Sequence, residues 1–143
     1  MLTVSQLLER KGSDVWSVSP DASVFDAIRL MADKGVGALL VLDEGELIGI
    51  LSERDYARKV ILKGRSSKET PVRDIMTEKV LYITPDRSLD EAMAIMTEKR
   101  IRHLPVIDAE KLVGVFSVGD VIKSIISEQE FIIEQLESYI KGR

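Results

Sequence analysis

The sequence predicts an α+β protein made of two tandem copies of one β-α-β-β-α unit, closed by an amphipathic C-terminal helix. Three observations carry that prediction. Residues 15–56 align with residues 80–121 without a gap, and fourteen of the 42 positions are identical, among them Pro20/Pro85, Asp21/Asp86, Ser23/Ser88, Met31/Met96, Gly49/Gly114, Ser52/Ser117 and Asp55/Asp120. Within each copy, apolar residues recur first at helical spacing and then in strand-length runs. A serine stands ahead of each helical stretch, with a carboxylate three residues further on.

Taken in order, Thr3-Val4-Ser5-Gln6-Leu7-Leu8 and Thr70-Pro71-Val72-Arg73-Asp74-Ile75-Met76 share a pattern, so each copy is expected to open with a short helical lead-in. A brief apolar segment follows (15–18, 81–83) and ends at the repeated proline, whose ring keeps its predecessor extended. Ser23 and Ser88 are the expected N-caps, with Asp26 and Glu91 as reciprocal partners. Behind them Val24, Ala27, Ile28 and Met31, matched by Leu89, Ala92, Met93 and Met96, form one apolar stripe. Gly35 can end the first of these helices in a left-handed cap, whereas Arg100 is expected to end the second by another route.

Residues 36–42 and 101–107 then read as strands, Asp43-Glu44-Gly45-Glu46 and Asp108-Ala109-Glu110-Lys111 as turns, and 47–51 and 112–116 as return strands. Ser52 and Ser117 open the next helices, the first continuing over 56–62. Beyond the second copy, Val121, Ile122, Ile125, Ile126, Ile132, Ile133, Leu136 and Ile140 make an apolar stripe opposed by Glu128, Glu130, Glu134 and Glu137. Packing across a homodimer is the preferred use of that stripe, and packing back onto its own chain the plainer one. The resulting division is 1–68 for the first repeat with its lead-in, 69–126 for the second, and 127–143 for the helical extension.

A unit of this size is marginal alone, so pairing the copies lets their apolar faces cover one another. A pseudo-two-fold pairing would leave two equivalent clefts, each lined by one copy's repeated turn. Composition narrows the function classes. The 143 residues lack cysteine, which excludes a disulfide scaffold, and the mass of 16.0 kDa excludes a large multidomain enzyme. A net charge of −4 argues against a broad nucleic-acid surface but leaves room for an anionic small molecule. No stretch reads as a signal peptide or membrane span, so a cytoplasmic protein without a membrane partner is expected.

The residues that carry chemistry lie in the repeated turn. Gly49-Ile50-Leu51-Ser52-Glu53-Arg54-Asp55 and Gly114-Val115-Phe116-Ser117-Val118-Gly119-Asp120 place a serine where a strand becomes a helix and an aspartate three residues on. Such an aspartate can accept hydrogen bonds from two vicinal hydroxyls, and the serine and first helical amides can face an anion. The same spacing is equally that of a capping box, which would explain both residues without a ligand. Arg102, and Arg54 with it, can offer several donors to a phosphate, with Lys79 and Lys99 nearby. Arg102-His103 stands where the first copy has Gly37-Ala38; the bland reading is a surface arginine and a histidine packed at the sheet edge. With one histidine in the chain, a zinc site or a serine-histidine-aspartate triad has little to build on. Asp21 and Asp86 shape the approach to a helix. Trp16 and Tyr82 could stack on a base or pack at the rim.

The two Gly-apolar-x-Ser-x-x-Asp elements, at the same place in a 65-residue duplication and with Arg102-His103-Leu104-Pro105-Val106 ahead of the second hairpin, resemble the diagnostic element of CBS domains. The paired arrangement resembles a Bateman module over residues 1 to about 126. That resemblance implies regulatory binding rather than catalysis, with AMP, ADP, ATP, NAD or S-adenosylmethionine held between repeats. It implies that Asp55 and Asp120 meet the ribose, that Ser52 and Ser117 lie by ribose or phosphate, and that Val18, Ile83 and Pro105 wall the adenine. Arg54, Arg102 and His103 complete the expected site. No obligatory cofactor is implied; a homodimer and an unidentified regulated protein are the expected partners. The competing readings are a scaffold protein with vestigial clefts and, more remotely, a small nucleotide hydrolase.

Overall fold

The computed structural model describes residues 2–142. The chain divides into two compact units, one of Met1–Asp14 with Tyr82–Arg143 and the other of Val15–Leu81. This partition is not the one that the order of the chain suggests, because the lead-in of each sequence repeat packs in the unit of the other.

The Val15–Leu81 unit holds β1 (Ser17–Val18), α2 (Val24–Lys34), β2 (Ala38–Asp43), β3 (Glu46–Ser52) and α3 (Glu53–Tyr56), which runs on as a π-helical turn over Ala57–Ile61. The sheet order is β1-β2-β3, with β1 parallel and β3 antiparallel to β2. The other unit holds α1 (Val4–Lys11), α4 (Leu89–Lys99), β4 (His103–Asp108), β5 (Lys111–Ser117) and α5 (Val118–Ile140). In place of a first strand it has a single parallel bridge from Ile83 to Val106. Both hairpins shift register two residue pairs before their turn, at Val41/Leu42 and Val106/Ile107.

The repeated sequence yields repeated packing. Val24, Ala27 and Met31 bury one face of α2, and Leu89, Ala92 and Met96 bury the same face of α4. Around them, Leu39, Val41, Leu51, Val60, Val72 and Ile75 complete one core, and Val4, Leu7, Leu104, Val106, Phe116 and Val121 complete the other. Each large apolar side chain so buried stabilises its unit by about 1.5–3 kcal/mol.

The lead-ins are equivalent even though one is an α-helix and the other a single 3-10 turn, Val72–Asp74. Thr3 bridges Ser88 as Pro71 bridges Ser23. Val4 N–H donates to the Arg87 carbonyl as Val72 N–H donates to that of Ala22, and Ser5 donates to Pro85 as Arg73 donates to Pro20. The repeated glycines admit these segments. A Cβ on Gly114 would lie 2.9 Å from Leu8 Cδ2, and one on Gly49 would lie 2.6 Å from Met76 Sδ and 3.2 Å from the Thr77 carbonyl.

Two helix ends differ from the expectation. Arg100 terminates α4 in the same left-handed conformation (φ 57°) that Gly35 uses for α2 (φ 66°), its N–H donating to Met96 and Thr97 carbonyls. Closing the last turn outweighs the roughly 1–2 kcal/mol that a side chain costs there. Ser23 and Ser88 cap their helices by accepting from the N3 amide only. The reciprocal arm is missing at Ser88 because Glu91 turns to the Arg87 guanidinium, 3.0 Å away, and to the Ser88 hydroxyl at 3.4 Å.

Candidate functional site

The second copy's motif is assembled by a hairpin and two helices of one unit. Antiparallel pairing sets His103 opposite Ser117. Ser117 is the N-cap of α5: its Oγ accepts from Asp120 N–H at 3.1 Å, and Asp120 Oδ2 accepts from Ser117 N–H at 2.8 Å. The first helical amide, Val118 N–H, donates to the Arg102 carbonyl, so the backbone anchors Arg102 at the start of the 23-residue helix α5. Lys11, from the last turn of α1, reaches in with Nζ 2.8 Å from the Val115 carbonyl and 3.6 Å from Asp120 Oδ2. Lys11 thus stands beside the Asp120 carboxylate at the positive end of a long helix, with His103 within electrostatic reach of it.

His103 lies partly buried there, and burial pushes its imidazole below the ordinary value of 6.5. The Asp120 carboxylate works against that shift, while Arg102 and Lys11 add to it. A neutral ring results at neutral pH, able to donate from one nitrogen and accept at the other.

The first copy's motif has the same frame and different occupancy. Asp55 Oδ2 accepts from Ser52 N–H at 3.0 Å and from Ser52 Oγ–H at 3.1 Å. Its Oδ1 lies 3.2 Å from Lys59 Nζ, which also donates to the Ile75 carbonyl, and 3.4 Å from Thr77 Oγ1. Both oxygens are engaged, and the side chain is 13% exposed against 28% for Asp120. By contrast, Asp120 Oδ1 accepts no hydrogen bond among the described residues, and Ser117 Oγ donates none. The open oxygen can accept from hydroxyl groups and the serine can donate, while the helix start and its cations suit an anion.

The other expected site residues fall in several places. Arg54 is exposed on the first turn of α3, and Val18 is half-buried on β1. Ile83 and Pro105 are buried; Ile83 N–H donates to the Pro105 carbonyl and its own carbonyl accepts from Ile107, so Ile83 lies alongside β4 in the core of its unit, while Pro105 is a residue of β4 itself. Trp16 carries Lys34 4.3 Å over its ring, and Tyr82 is exposed. Asp21 pairs with Arg73, and the Thr84 hydroxyl holds the exposed Asp86 carboxyl below its usual range. Both aspartates shape the turn ahead of a helix.

Sequence reasoning missed Lys11, Lys59 and Thr77. Lys59 was available as an i, i+4 partner of Asp55. Lys11 carried no local signal, since it comes from a lead-in that the chain order assigns to the other repeat. Among the described residues, no group of histidine and carboxylates could hold a metal ion, and no helix is long and apolar enough to cross a membrane.

Comparison with known proteins accounts for this architecture. A family model described as "CBS domain" matches residues 4–62 and 72–127. The chain is 42% identical to "CBS domain-containing protein CBSX3, mitochondrial" of Arabidopsis thaliana, covering 98% of this chain and 72% of that protein. A solved structure of a putative signal-transduction protein with CBS domains from Burkholderia ambifaria MC40-6 is 55% identical, with a TM-score of 0.87 over 89% of this chain and 96% of the other. At 21% identity, a likeness of fold alone, the CBS domain pair of protein MJ0100 superposes with a TM-score of 0.79 over 90% of this chain and 98% of that one; its structure is a complex with 5-methylthioadenosine and S-adenosyl-L-methionine.

Proposed function

The chain belongs to the CBS-domain family, whose paired repeats regulate rather than catalyse, and we propose that it binds an adenosine-containing ligand at its second-repeat motif and signals occupancy through α5. AMP, ADP, ATP, NAD and S-adenosylmethionine are the ligands in this class. One observation carries the choice of motif: Asp120 keeps an oxygen open where Asp55 has none. In this reading Asp120 Oδ1 accepts from the ribose hydroxyls, Ser117 Oγ donates to the ribose or phosphate, and Arg102 and Lys11 oppose phosphate charge. His103 sits beside them as a neutral hydrogen-bonding ring. Ile83 and Pro105 support the adenine side from behind, and Val18, Ser52 and Arg54 belong to the first motif.

Ligand binding at Asp120 acts on the first turn of a helix that runs without a break to Ile140. Any shift at the cap is therefore carried to the extension, where a homodimer partner or a regulated protein would read it. The second reading, a scaffold with vestigial sites, is favoured by one observation: the Ser52–Asp55 box is fully satisfied by its own unit. We assign that box a structural role and keep the ligand for the other.

Calorimetric titration of nucleotide-stripped protein tests the assignment. Binding of at least one adenosyl ligand on a roughly micromolar scale is expected, lost in Asp120→Asn and retained in Asp55→Asn. No heat with any of the five ligands would overturn the sensor reading; loss in Asp55→Asn alone would transfer the site to the first motif.

A further inference from the structure

We infer that the exposed seam of α5 pairs with α5 of a second copy of this chain, antiparallel, with Gln129 set against Ile133 of that copy. The inference rests on the homodimer reading above and supplies its surface, orientation and register. Residues 129–140 are exposed at every position, although Ile132, Ile133, Leu136 and Ile140 are large and apolar. The first two turns of α5 are different: there Val121 and Ser124 are buried, and the Ser124 carbonyl accepts from Arg10. The extension therefore projects from a fixed base, with its apolar face bare.

Spacing marks the seam as one made for another helix. Ile122, Ile126, Gln129, Ile133, Leu136 and Ile140 follow at alternating steps of four and three, the a/d pattern that keeps a stripe facing a partner helix. One edge of the seam carries Ile125, Ile132 and Tyr139 at g positions, and the other carries Lys123, Glu130 and Glu137 at e positions.

Charge chooses the orientation. In a parallel pair each e residue faces a g residue, which would set Lys123 and both glutamates against apolar side chains. In an antiparallel pair e faces e and g faces g. With Gln129 opposite Ile133, Lys123 then lies beside Glu137 of the second copy, twice over by symmetry. On the other edge Ile132 meets Ile132, and Tyr139 lies beside Ile125, which is partly buried against the core of its own unit. Glu130 against Glu130 is the only like-charge contact. Lys123 forms no ion pair within its own chain among the described residues, and neither does Glu137. A polar Gln129 in the middle of the seam fixes register, as single polar core residues do in coiled coils.

Sedimentation of the full chain over a dilution series, with the variants alongside, tests this. A reversible dimer is expected, weakened about tenfold or more by Ile133→Glu, an exposed position outside the core of its own unit, whose variant should keep its melting temperature. Lys123→Glu should weaken the dimer and Lys123→Glu with Glu137→Lys should restore it. Because the chain has no cysteine, oxidising a mixture of Ile126→Cys and Leu136→Cys chains should give the mixed disulfide. A dominant Ile126→Cys homodisulfide would overturn the antiparallel register. A dimer indifferent to Ile133→Glu would overturn the seam and leave the dimer reading standing; a monomer at every concentration would overturn both.

Discussion

Lys11 Nζ lies 3.6 Å from Asp120 Oδ2 and 2.8 Å from the Val115 carbonyl, so a residue near the start of the chain holds the helix cap that opens its last element. The contact ties α1 to the β5–α5 corner and orients the Asp120 carboxylate on one oxygen only. Lys11→Met should lower stability by less than about 1 kcal/mol, as a part-exposed ion pair does. Urea unfolding would measure it, and a loss several times larger would mean that Lys11 acts through packing instead.

The two repeated glycines are not equally replaceable. Gly114→Ala presses a methyl on the tip of the Leu8 side chain, which can turn aside. Gly49→Ala meets Met76 and also the Thr77 carbonyl, which is fixed by its bridge to Ile50. Overpacking of this kind costs about 1–3 kcal/mol, and the Gly49 variant should lie at the upper end. Thermal melts of the pair decide it; equal losses would contradict the difference.

Arg100 is a stabilising opportunity. Its left-handed backbone favours glycine, so Arg100→Gly should raise stability by up to about 1 kcal/mol, while Gly35→Ala should lower it by a similar amount. A destabilised Arg100→Gly would show that the arginine side chain contributes more than its backbone costs.

His103 makes stability depend on pH. Burial holds its folded-state value below 6.5, so the unfolded chain takes up a proton first as pH falls. The contribution is complete above about 6.5 and is lost as pH drops from there through the lowered folded value. His103→Gln should flatten the stability profile across that acidic window, as read by melting temperature against pH. An unchanged slope would remove His103 as its source.

Capping separates the two motifs. Ser52→Ala and Ser117→Ala should each cost about 0.5–2 kcal/mol. Ser52→Ala should cost more, because its hydroxyl both accepts from the Asp55 amide and donates to the Asp55 carboxylate, whereas Ser117 Oγ only accepts. Denaturant midpoints measure the order.

Local rules explain what was legible. Serine ahead of an amphipathic stretch marks a helix start from a few neighbouring residues, which is why Ser23, Ser52, Ser88 and Ser117 all cap where expected. The hairpins were equally readable, since strand-length apolar runs flank a polar turn whose residues adopt positive φ at Glu44, Gly45, Ala109 and Glu110. Arg100 was misread because closing a helix turn is a property of the helix end as a whole, and intrinsic preference at one residue yielded to it.

The amino-acid sequence by itself determined two copies of one unit, the order of their elements and the positions of their caps, because each depends on residues close together in the chain. Only the tertiary structure decided that each lead-in serves the other copy, that Lys11 reaches Asp120, and that Asp55 is closed while Asp120 keeps an oxygen open. Those outcomes turn on which side chains distant segments bring within a few ångströms, and two copies with identical Ser-x-x-Asp spacing differ there because the equivalent segments around them carry different residues, Lys11 beside Asp120 but Thr77 and Lys59 beside Asp55.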